Sequence, residues 1–570
     1  VGGPLRPVTH QPGPHLARAL LAGALLARAL LAGGCVRAPS SEVPPALQAA
    51  VARADSIVAE AVSAETAGGG AGARSDGGPR GGAEANRDTA GDRPAQKLPG
   101  AVLLVAYRGK VIHEKAYGAA KLYDYRANSA TGSGVMDESG RSERPTRQEE
   151  TGVLKEPGPS ERPTRQGQTG QPYPDTPRTE LIRLDEPQAM TVGHRFDLAS
   201  VTKVMATTYA FMLLVDRGLV ELDQPVHTYL PDFRGPEKDR ITVRDLLTHR
   251  SGLYRWQPIY YHASTPSEAY AYIRDLPLEF PVREGRRYSD LGFMLAGHIV
   301  ERVTGASLDR FLASELYGPL GLRHTGFLRE GQNPGAPVAA TSHGNPYEYR
   351  MVADDSFGYL CNEDPAAFTG WRDYTLQGEV NDGNAWHAHS GVVGHAGLFS
   401  TARDLYTLLQ ILLNEGTHEG RSVVGANVVR AFLTPDAYTG NGVGWAISRE
   451  AATASPPSDT SGTAGADASP EEPPSDTSGT AGADASPEES RSAGPAGAKR
   501  DRSSVQVFSH GGFTGTFVAG VPELDLALVF LSNRQNLGVD EDTRYPDASQ
   551  VYRPVLEELI RGAWAAREPG

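Results

Sequence analysis

The stretch FDLASVTK, residues 196–203, decides how the rest of the chain is interpreted. It predicts a serine, Ser200, at the start of a helix and a lysine, Lys203, one turn later on the same face. A serine hydroxyl becomes a good nucleophile when a neighbouring group accepts its proton. The partial positive charge of a helix N-terminus favours the anion that forms when a carbonyl is attacked. The stretch therefore predicts a nucleophilic serine.

The segment after the lysine, VMATTYAFMLLV at 204–215, is apolar on nearly every side and predicts a buried helix. Ser200 would then lie on a rigid central element. Taken alone, Ser-x-x-Lys also fits a helix cap followed by a surface lysine. Two further stretches favour the catalytic interpretation.

The first of these is Tyr288-Ser289-Asp290, which precedes the apolar run LGFMLAGHIV. A tyrosine at the start of a buried helix can point into a cleft, and a nearby cation favours its phenolate. Tyr288 beside Lys203 could then accept the proton of Ser200. The alternative is a core tyrosine whose hydroxyl is hydrogen-bonded.

The second stretch is HGGFTG, in which His510, Gly511 and Gly512 are predicted at the edge of a strand. Glycines let a substrate backbone approach closely, and an edge strand offers unpaired N–H groups to an oxyanion. The alternative is an ordinary hairpin with glycines at its turn.

Composition limits the remaining possibilities. The chain has 570 residues, 39% of them hydrophobic, and a net charge of −14, which argues against a nucleic-acid partner. Its two cysteines, Cys35 and Cys361, rule out a disulfide framework. We expect Cys361 to be a buried thiol. There is no G-x-S-x-G, dinucleotide fingerprint or P-loop, so no cofactor is predicted.

The N-terminal segment, residues 1–35, predicts an export signal, because basic residues precede an apolar run that ends in small residues. Its ending, LAGGC, resembles a bacterial lipoprotein cleavage box, in which Cys35 would be lipidated. The alternative is a plain secretory signal or a wrongly assigned start. We expect an exported protein of the periplasm or cell envelope, possessing at most a lipid anchor to the membrane.

Residues 36–95 predict a tether with one helix, at about 46–64, and a disordered segment. Residues 96–565 predict one domain with low-complexity insertions at about 124–187 and 451–503, where SERPTRQ and PPSDTSGTAGADASPEE are each repeated. Strands are predicted near both ends of this domain and helices between them. The expected fold class is therefore α/β (α+β), an antiparallel sheet of N- and C-terminal strands flanked by helices with an inserted helical region. The main elements predicted are strands at 100–107, 111–117, 441–447, 505–509, 516–521 and 526–532, and helices at 397–415 and 550–564.

The order of Ser200/Lys203, Tyr288/Asp290 and His510/Gly511/Gly512 resembles the penicillin-recognising serine hydrolases, in particular their class C β-lactamase-related branch. The stretches ITVRDLLTHRSGL, LYGPLGLRHTGF and GHAGLFSTARDL agree with that branch. The resemblance implies a β-lactamase/transpeptidase-like fold.

It also implies roles. Ser200 would be acylated, Lys203 and Tyr288 would share its proton, and the backbone N–H groups of Ser200 and Phe513 would form the oxyanion hole. Asp290 and His510 stand where the family usually has an amide and a lysine. An ionised carboxylate cannot donate a hydrogen bond, and histidine is mostly neutral at pH 7.

The sequence thus predicts a serine hydrolase that acts on D-alanyl peptides or small carboxylic esters, with weak β-lactamase activity at most. Two alternatives are a catalytically silent envelope lipoprotein that binds muropeptide-like ligands, and a class C-type β-lactamase. A zinc site is a weaker hypothesis, since His387, His389 and His395 lie near Asp382 in the sequence.

Overall fold

The computed structural model describes residues 43–63, 97–125, 181–453, 503–540 and 542–567. The chain divides into two units, residues 1–44 and 45–570, and everything below concerns the second. The predicted export signal, Cys35 and the repeated heptapeptides and 17-residue repeats lie outside the described residues. Among the described residues, no helix is both long and apolar enough to span a bilayer.

The strands of the described residues are short apart from those of one large sheet. They are β1 Gly100–Tyr107, β2 Lys110–Tyr125, β3 Leu181–Ala189, β4 Phe196–Asp197, β5 Gly326–Phe327, β6 Ala340–His343, β7 Thr375–Gln377, β8 Leu398–Ser400, β9 Thr417–His418, β10 Arg421–Ser422, β11 Ala446–Ala451, β12 Ser504–Gly512, β13 Thr516–Val521 and β14 Leu526–Ser532.

The α-helices lie before the sheet, within the inserted region and at the C-terminal end. They are α1 Pro45–Ser63, α2 Tyr209–Asp216, α3 Val243–Leu247, α4 Pro266–Asp275, α5 Asp290–Thr304, α6 Leu308–Leu312, α7 Pro346–Ala353, α8 Ala402–Leu413, α9 Ala426–Leu433 and α10 Ser549–Ala565.

The large sheet has seven antiparallel strands in the order β11-β12-β13-β14-β1-β2-β3. The C-terminal strand β14 pairs directly with the N-terminal strand β1, with Leu103 opposite Phe530. The helical region lies between β3 and β11 in the chain. The predicted fold, a sheet of terminal strands with an inserted helical region, is therefore confirmed.

Both faces of the sheet are covered, which explains why β1 is buried along its whole length. Val102 and Leu104 join the same core cluster as Leu405 and Leu408 of α8. Because side chains alternate along a strand, Leu103 and Val105 point to the other face, where α1 and α10 pack. These two helices approach so closely that a Cβ on Gly562 would lie 2.4 Å from the Cβ of Ala50.

Helix α1 was predicted to lie in the tether, before a domain that begins at residue 96. Instead it packs against α10, β1 and β2, and the compact unit begins at Pro45. Its Asp55 carboxylate accepts hydrogen bonds from the Lys115 ammonium at 2.8 Å and the Tyr117 hydroxyl at 2.5 Å, both in β2. The buried apolar side of α1 therefore packs against the sheet and belongs to the domain.

Three predicted elements differ from the structure. The helix predicted at 397–415 begins with a strand, β8, and becomes helical at Ala402. The strand predicted at 441–447 begins at Ala446, because the glycine-rich stretch before it is bent and irregular. The insertion predicted at 124–187 contains the end of β2 and most of β3, whose mostly exposed side chains give little apolar signal.

Cys361, which was expected to be a buried thiol, is only partly buried, and its thiol donates to the Met351 carbonyl at 3.7 Å.

Candidate active site

Ser200 lies at a sharp turn between a strand and a helix. The strand is β4, which pairs with β8, and helical structure begins at Val201. Between them Ala199 adopts φ = +44°, a left-handed conformation that is strained for a residue with a side chain. The buried carboxylate of Asp197 holds this turn by accepting a hydrogen bond from the Ala199 N–H at 2.9 Å.

Lys203 is fully buried in the π-helical turn Lys203–Thr208 that leads into α2. Its ammonium donates to Ser200 Oγ at 3.1 Å and to the His395 carbonyl at 3.2 Å. It also lies 2.6 Å from a carboxylate oxygen of Asp290. The lysine is thus held between the serine, a backbone carbonyl and a negative charge.

Tyr288 and Asp290 are positioned by the start of α5. The Ser289 hydroxyl caps this helix by accepting from the Gly292 N–H at 3.1 Å, and the Asp290 N–H donates to the Arg255 carbonyl at 2.9 Å. Lys203 Nζ lies 4.7 Å from the centre of the Tyr288 ring, and the buried His249 ring stacks on that ring at 4.4 Å. The Tyr288 hydroxyl is buried near Ser200 and Lys203 but, among the described residues, is not aligned for a regular hydrogen bond.

The environment of this wall raises the pKa of both Tyr288 and Lys203. Burial raises the pKa of Tyr288 and the Asp290 charge raises it further, while Lys203 lowers it only in part. Burial would lower the pKa of Lys203, but Asp290 and Tyr288 outweigh that effect and raise it. The expected stabilisation of a Tyr288 phenolate is therefore outweighed. The resting site holds an ammonium, a carboxylate and a neutral phenol.

His510, Gly511 and Gly512 form the other wall, at the end of β12. They pair with β13, whereas pairing with β11 ends at Ser509, so this end of β12 extends past its outer neighbour. The His510 ring lies against its own strand, with Nδ1 2.8 Å from the Gly511 carbonyl. Burial, Lys203 and Arg286 lower its pKa to about 3, so the imidazole is neutral at pH 7.

The turn after β12 packs directly on the backbone that precedes Ser200. The Thr514 hydroxyl donates to the Asp197 carbonyl at 2.6 Å, and the Thr516 hydroxyl donates to the Leu198 carbonyl at 3.0 Å. A Cβ on Gly512 would lie 2.3 Å from the same Leu198 oxygen. Only glycine fits this approach.

Two backbone donors remain available at this junction. Among the hydrogen bonds of the described residues, none uses the N–H of Ser200 or the N–H of Phe513. The Phe513 carbonyl accepts from the Arg534 guanidinium at 2.7 Å, which anchors the turn. Unused N–H groups beside a nucleophile are what an oxyanion requires.

Several residues at the site were not predicted from the sequence. Asp197 also accepts from the Asn381 N–H at 2.6 Å, so it joins the Ser200 turn to the loop that carries His395. In that loop His395 Nε2 lies 3.1 Å from Asp382. Burial would raise the pKa of Asp382, but His395 and Lys203 outweigh this effect and lower it. Asp197 was visible in the stretch 196–203, but its distant partner Asn381 was not.

The histidines of the zinc hypothesis are separated in the structure. His389 Nδ1 lies 2.9 Å from the Asn384 carbonyl, and His387 packs against Tyr260 and Phe368. Within the described ranges, no group of three or more His, Cys, Asp or Glu side chains could hold a metal ion. Asp382 and Gly383 lead into the π-helical turn Asn384–Ala388.

The fold and this arrangement define a class of protein, and a family comparison agrees with it. A family model described as Beta-lactamase matches residues 83–552, most of the chain. The chain therefore belongs to the Beta-lactamase family, whose members are hydrolases of β-lactamase or penicillin-binding-protein type.

Two relatives are similar over most of the domain. One is "N-acetylmuramyl-L-alanine amidase" of Bacillus subtilis (strain 168), which is 32% identical over 60% of this chain and 65% of the relative. The other is "Putative D-alanyl-D-alanine carboxypeptidase" of Escherichia coli (strain K12), which is 30% identical over 64% of this chain and 75% of the relative. The chain thus spans about two thirds of the length of the first and three quarters of the second.

The solved structures to which the chain is similar are more distant in sequence. A penicillin-binding protein homologue from Caulobacter crescentus is 18% identical, with a TM-score of 0.45 over 83% of this chain and 94% of that one. EstCE1, a hydrolase with promiscuous acyltransferase activity, is 16% identical, with a TM-score of 0.48 over 90% of this chain and 99% of that one.

Proposed function

We propose that this protein is a serine hydrolase that forms an acyl-enzyme at Ser200 and acts on D-alanyl peptides or small carboxylic esters. The observation that carries the proposal is the contact of Ser200 Oγ with the Lys203 ammonium at 3.1 Å beside two unused backbone N–H groups. The names of the two relatives support a substrate derived from cell-wall peptide. Those names also favour action outside the cytoplasm.

In the first step, Ser200 Oγ forms a bond to the substrate carbonyl carbon, and the carbonyl oxygen becomes an oxyanion that accepts from the N–H groups of Ser200 and Phe513. The serine proton passes to the amine of Lys203 or the phenolate of Tyr288. It then leaves with the amine or alcohol as the scissile bond breaks. In the second step, water forms a bond to the acyl carbon and its proton passes by the same route to Ser200 Oγ, while the bond between the acyl carbon and Oγ breaks and the carboxylic acid is released.

The resting charges determine the pH dependence of this step. Lys203 cannot accept a proton while it is an ammonium, and Tyr288 cannot while it is a phenol. Because the pKa of both groups is raised, we expect acylation to become faster as the pH rises above neutrality. Asp290 maintains this state at 2.6 Å from Lys203.

A neutral His510 supplies no positive charge to a β-lactam carboxylate, which supports weak β-lactamase turnover. The test compares purified protein on a cephalosporin, p-nitrophenyl esters and acyl-D-Ala-D-Ala peptides, with Ser200→Ala as the control. We expect ester or peptide turnover that is lost in Ser200→Ala. Faster turnover of the cephalosporin than of both other substrates would reject the proposed substrate class, and activity retained in Ser200→Ala would reject the mechanism.

A further inference from the structure

The loop from Asn381 to His395 supports the nucleophile and the lysine at two separate points. The Asn381 N–H donates to the Asp197 carboxylate at 2.6 Å, and the same carboxylate holds the turn before Ser200. The His395 carbonyl accepts from the Lys203 ammonium at 3.2 Å. One loop therefore supports both partners of the contact between Ser200 Oγ and Lys203 Nζ.

The end of this loop is fastened to the π-helical turn that carries the lysine. The Thr207 hydroxyl donates to the Gly394 carbonyl at 2.6 Å, one residue before the carbonyl that Lys203 uses. Helix α5 packs against the same backbone, since a Cβ on Gly394 would lie 2.0 Å from the Phe293 carbonyl oxygen. The backbone at 394 and 395 is therefore enclosed from two sides.

The side chain of His395 is anchored by a carboxylate. Its ring is buried, and Nε2 lies 3.1 Å from one carboxylate oxygen of Asp382. The other oxygen accepts from the Ala385 N–H at 2.7 Å. Within the part of the chain that the structure describes, Asp382 makes the only ion-pair contact to this imidazole. The carboxylate thus connects the ring of His395 with the start of the π-helical turn Asn384–Ala388.

Asp382 has a second acid beside it, and the two acids differ in charge. Glu348 of α7 is buried and accepts from the Gly383 N–H at 2.7 Å. Burial and the charge of Asp382 raise the pKa of Glu348. Although burial acts in the same direction on Asp382, the nearby His395 and Lys203 outweigh it and lower the pKa of that group. The proton of the two acids therefore resides on Glu348, and the negative charge resides on Asp382.

The charge of Asp382 acts within a set of titratable groups. They are Lys203, Asp197, Tyr260, Glu348, His389 and His395. Arg372 and Asp290 act in turn on Glu348. Because an electrostatic interaction is reciprocal, the carboxylate that Lys203 stabilises also stabilises the Lys203 ammonium. Removal of this negative charge should therefore make the lysine easier to deprotonate.

We propose that Asp382 and His395 form a positioning pair, which fixes the backbone carbonyl of His395 so that Lys203 stays aligned with Ser200 Oγ. The inference rests on the proposed function and deepens it, because it adds two residues that act on the reaction through the lysine. Glu348, the neutral member of the two acids, has no such role.

The test compares Asp382→Asn with Glu348→Gln, since both variants replace a carboxyl group by an amide. Asp382→Asn removes the charge that faces His395, whereas Glu348→Gln replaces one neutral group by another and keeps an acceptor for Gly383. On a p-nitrophenyl ester we expect kcat to fall about 30-fold in Asp382→Asn, with KM changed by less than about twofold. The basic limb of its pH–rate profile should move to lower pH. Glu348→Gln should keep kcat within about twofold, and equal losses in both variants would overturn the inference.

Two variants of His395 test the other member of the pair. Gln keeps an N–H group near the position of Nε2, whereas Leu keeps none. We expect His395→Gln to retain kcat within about fivefold and His395→Leu to lose about as much as Asp382→Asn. The Asp382→Asn/His395→Leu double variant should lose no more than either single variant, because a pair that acts as a unit is lost only once. Losses that multiply in the double variant would contradict the pair.

The rate at which a fluorophosphonate labels Ser200 separates this inference from the proposed function. We expect slower labelling in Asp382→Asn than in Glu348→Gln or the unaltered protein. Equal rates in all three proteins would overturn the positioning pair and leave the serine mechanism intact. Absence of labelling at Ser200 in the unaltered protein would instead reject the proposed function, and the role given to the pair with it.

Discussion

The two walls that meet at Ser200 differ in their chemistry. The helical wall consists of the turn Lys203–Thr208 and the start of α5. It contributes two charged groups, the Lys203 ammonium and the Asp290 carboxylate, which lie 2.6 Å apart. The sheet wall contributes His510, Gly511 and Gly512, where the imidazole is neutral, and leads into the turn that carries the unused Phe513 N–H. In the proposed mechanism, proton transfer belongs to the helical wall, and the oxyanion is bound by the Phe513 N–H after the sheet wall together with the N–H of Ser200.

The two walls are also held in different ways. The helical wall depends on burial, since Lys203 lies within the core and touches a carbonyl 192 residues away in the chain. The sheet wall depends on close backbone approach at Gly512. Substitutions at Gly512, where the walls meet, at Asp197, which supports both walls, and at Asp290, which supplies the negative charge, should therefore have different effects on the kinetics.

The largest effect is expected at the junction of the walls. In Gly512→Ala, the new Cβ would lie 2.3 Å from the Leu198 carbonyl oxygen and 2.2 Å from Thr516 Oγ1, so the turn must move away from Ser200. We expect kcat to fall about 10²-fold, as when an oxyanion donor is lost. Gly511→Ala is the matched variant, because its Cβ would meet nothing closer than 3.7 Å. Equal losses in both variants would contradict the role given to the Gly512 contact.

A smaller effect is expected at Asp197, which supports both walls. Its carboxylate accepts hydrogen bonds from the Ala199 N–H and the Asn381 N–H, and its backbone carbonyl accepts one from the Thr514 hydroxyl. Burial raises the pKa of this carboxyl group to about 6, against the hydrogen bonds that lower it. As the pH falls through about 6 the group is protonated in the folded protein, and one of its two acceptors is weakened.

We therefore expect the activity of the unaltered protein to decrease below about pH 6. In Asp197→Asn, kcat should be about tenfold lower, and the decrease of activity at acid pH should disappear.

The stability of the fold should change in the opposite direction with pH. Because the folded pKa exceeds the unfolded value, protonation contributes to the free energy of unfolding as the pH falls from above 6 towards about 4. The matched control is Asp245→Asn, another buried aspartate, which caps α3 away from the site. An unchanged acid limb in Asp197→Asn would contradict the assignment.

The smallest change in rate is expected at Asp290. In Asp290→Asn the negative charge that raises the pKa of Lys203 and of Tyr288 is removed. The basic limb of the pH–rate profile should therefore move to lower pH, while kcat at its plateau changes by less than about tenfold. The profile is measured with a p-nitrophenyl ester. A shift to higher pH would show that Asp290 does not maintain the charged resting state.

The sequence predicted the fold because its strands and helices have local patterns, whereas the grouping of the three motifs was predicted from the family resemblance. The strand LALVFLS, residues 526–532, and the helix after Lys203 are continuous apolar runs, which indicate burial on all sides. Ser200 and Lys203 are one turn apart, so their contact follows from helix geometry alone.

What could not be predicted depends on contacts between distant parts of the chain. The carbonyl of His395 carries no sequence signal as a partner of Lys203, and Asn381 carries none as a partner of Asp197. The charge state of Tyr288 depends on its burial, which the sequence pattern around Tyr288 and Lys203 does not reveal. Strand β3 was missed because it contains Pro187 and leaves most of its side chains exposed.

The most direct test of the account is to identify the residue that is covalently modified by a fluorophosphonate or a fluorescent penicillin. Mass spectrometry of proteolysed protein locates the adduct, and Lys203→Met and Ser200→Ala are treated in parallel. We predict one adduct on Ser200, a much slower reaction in Lys203→Met and none in Ser200→Ala. An adduct on another residue, or labelling that persists without the Ser200 hydroxyl, would contradict it.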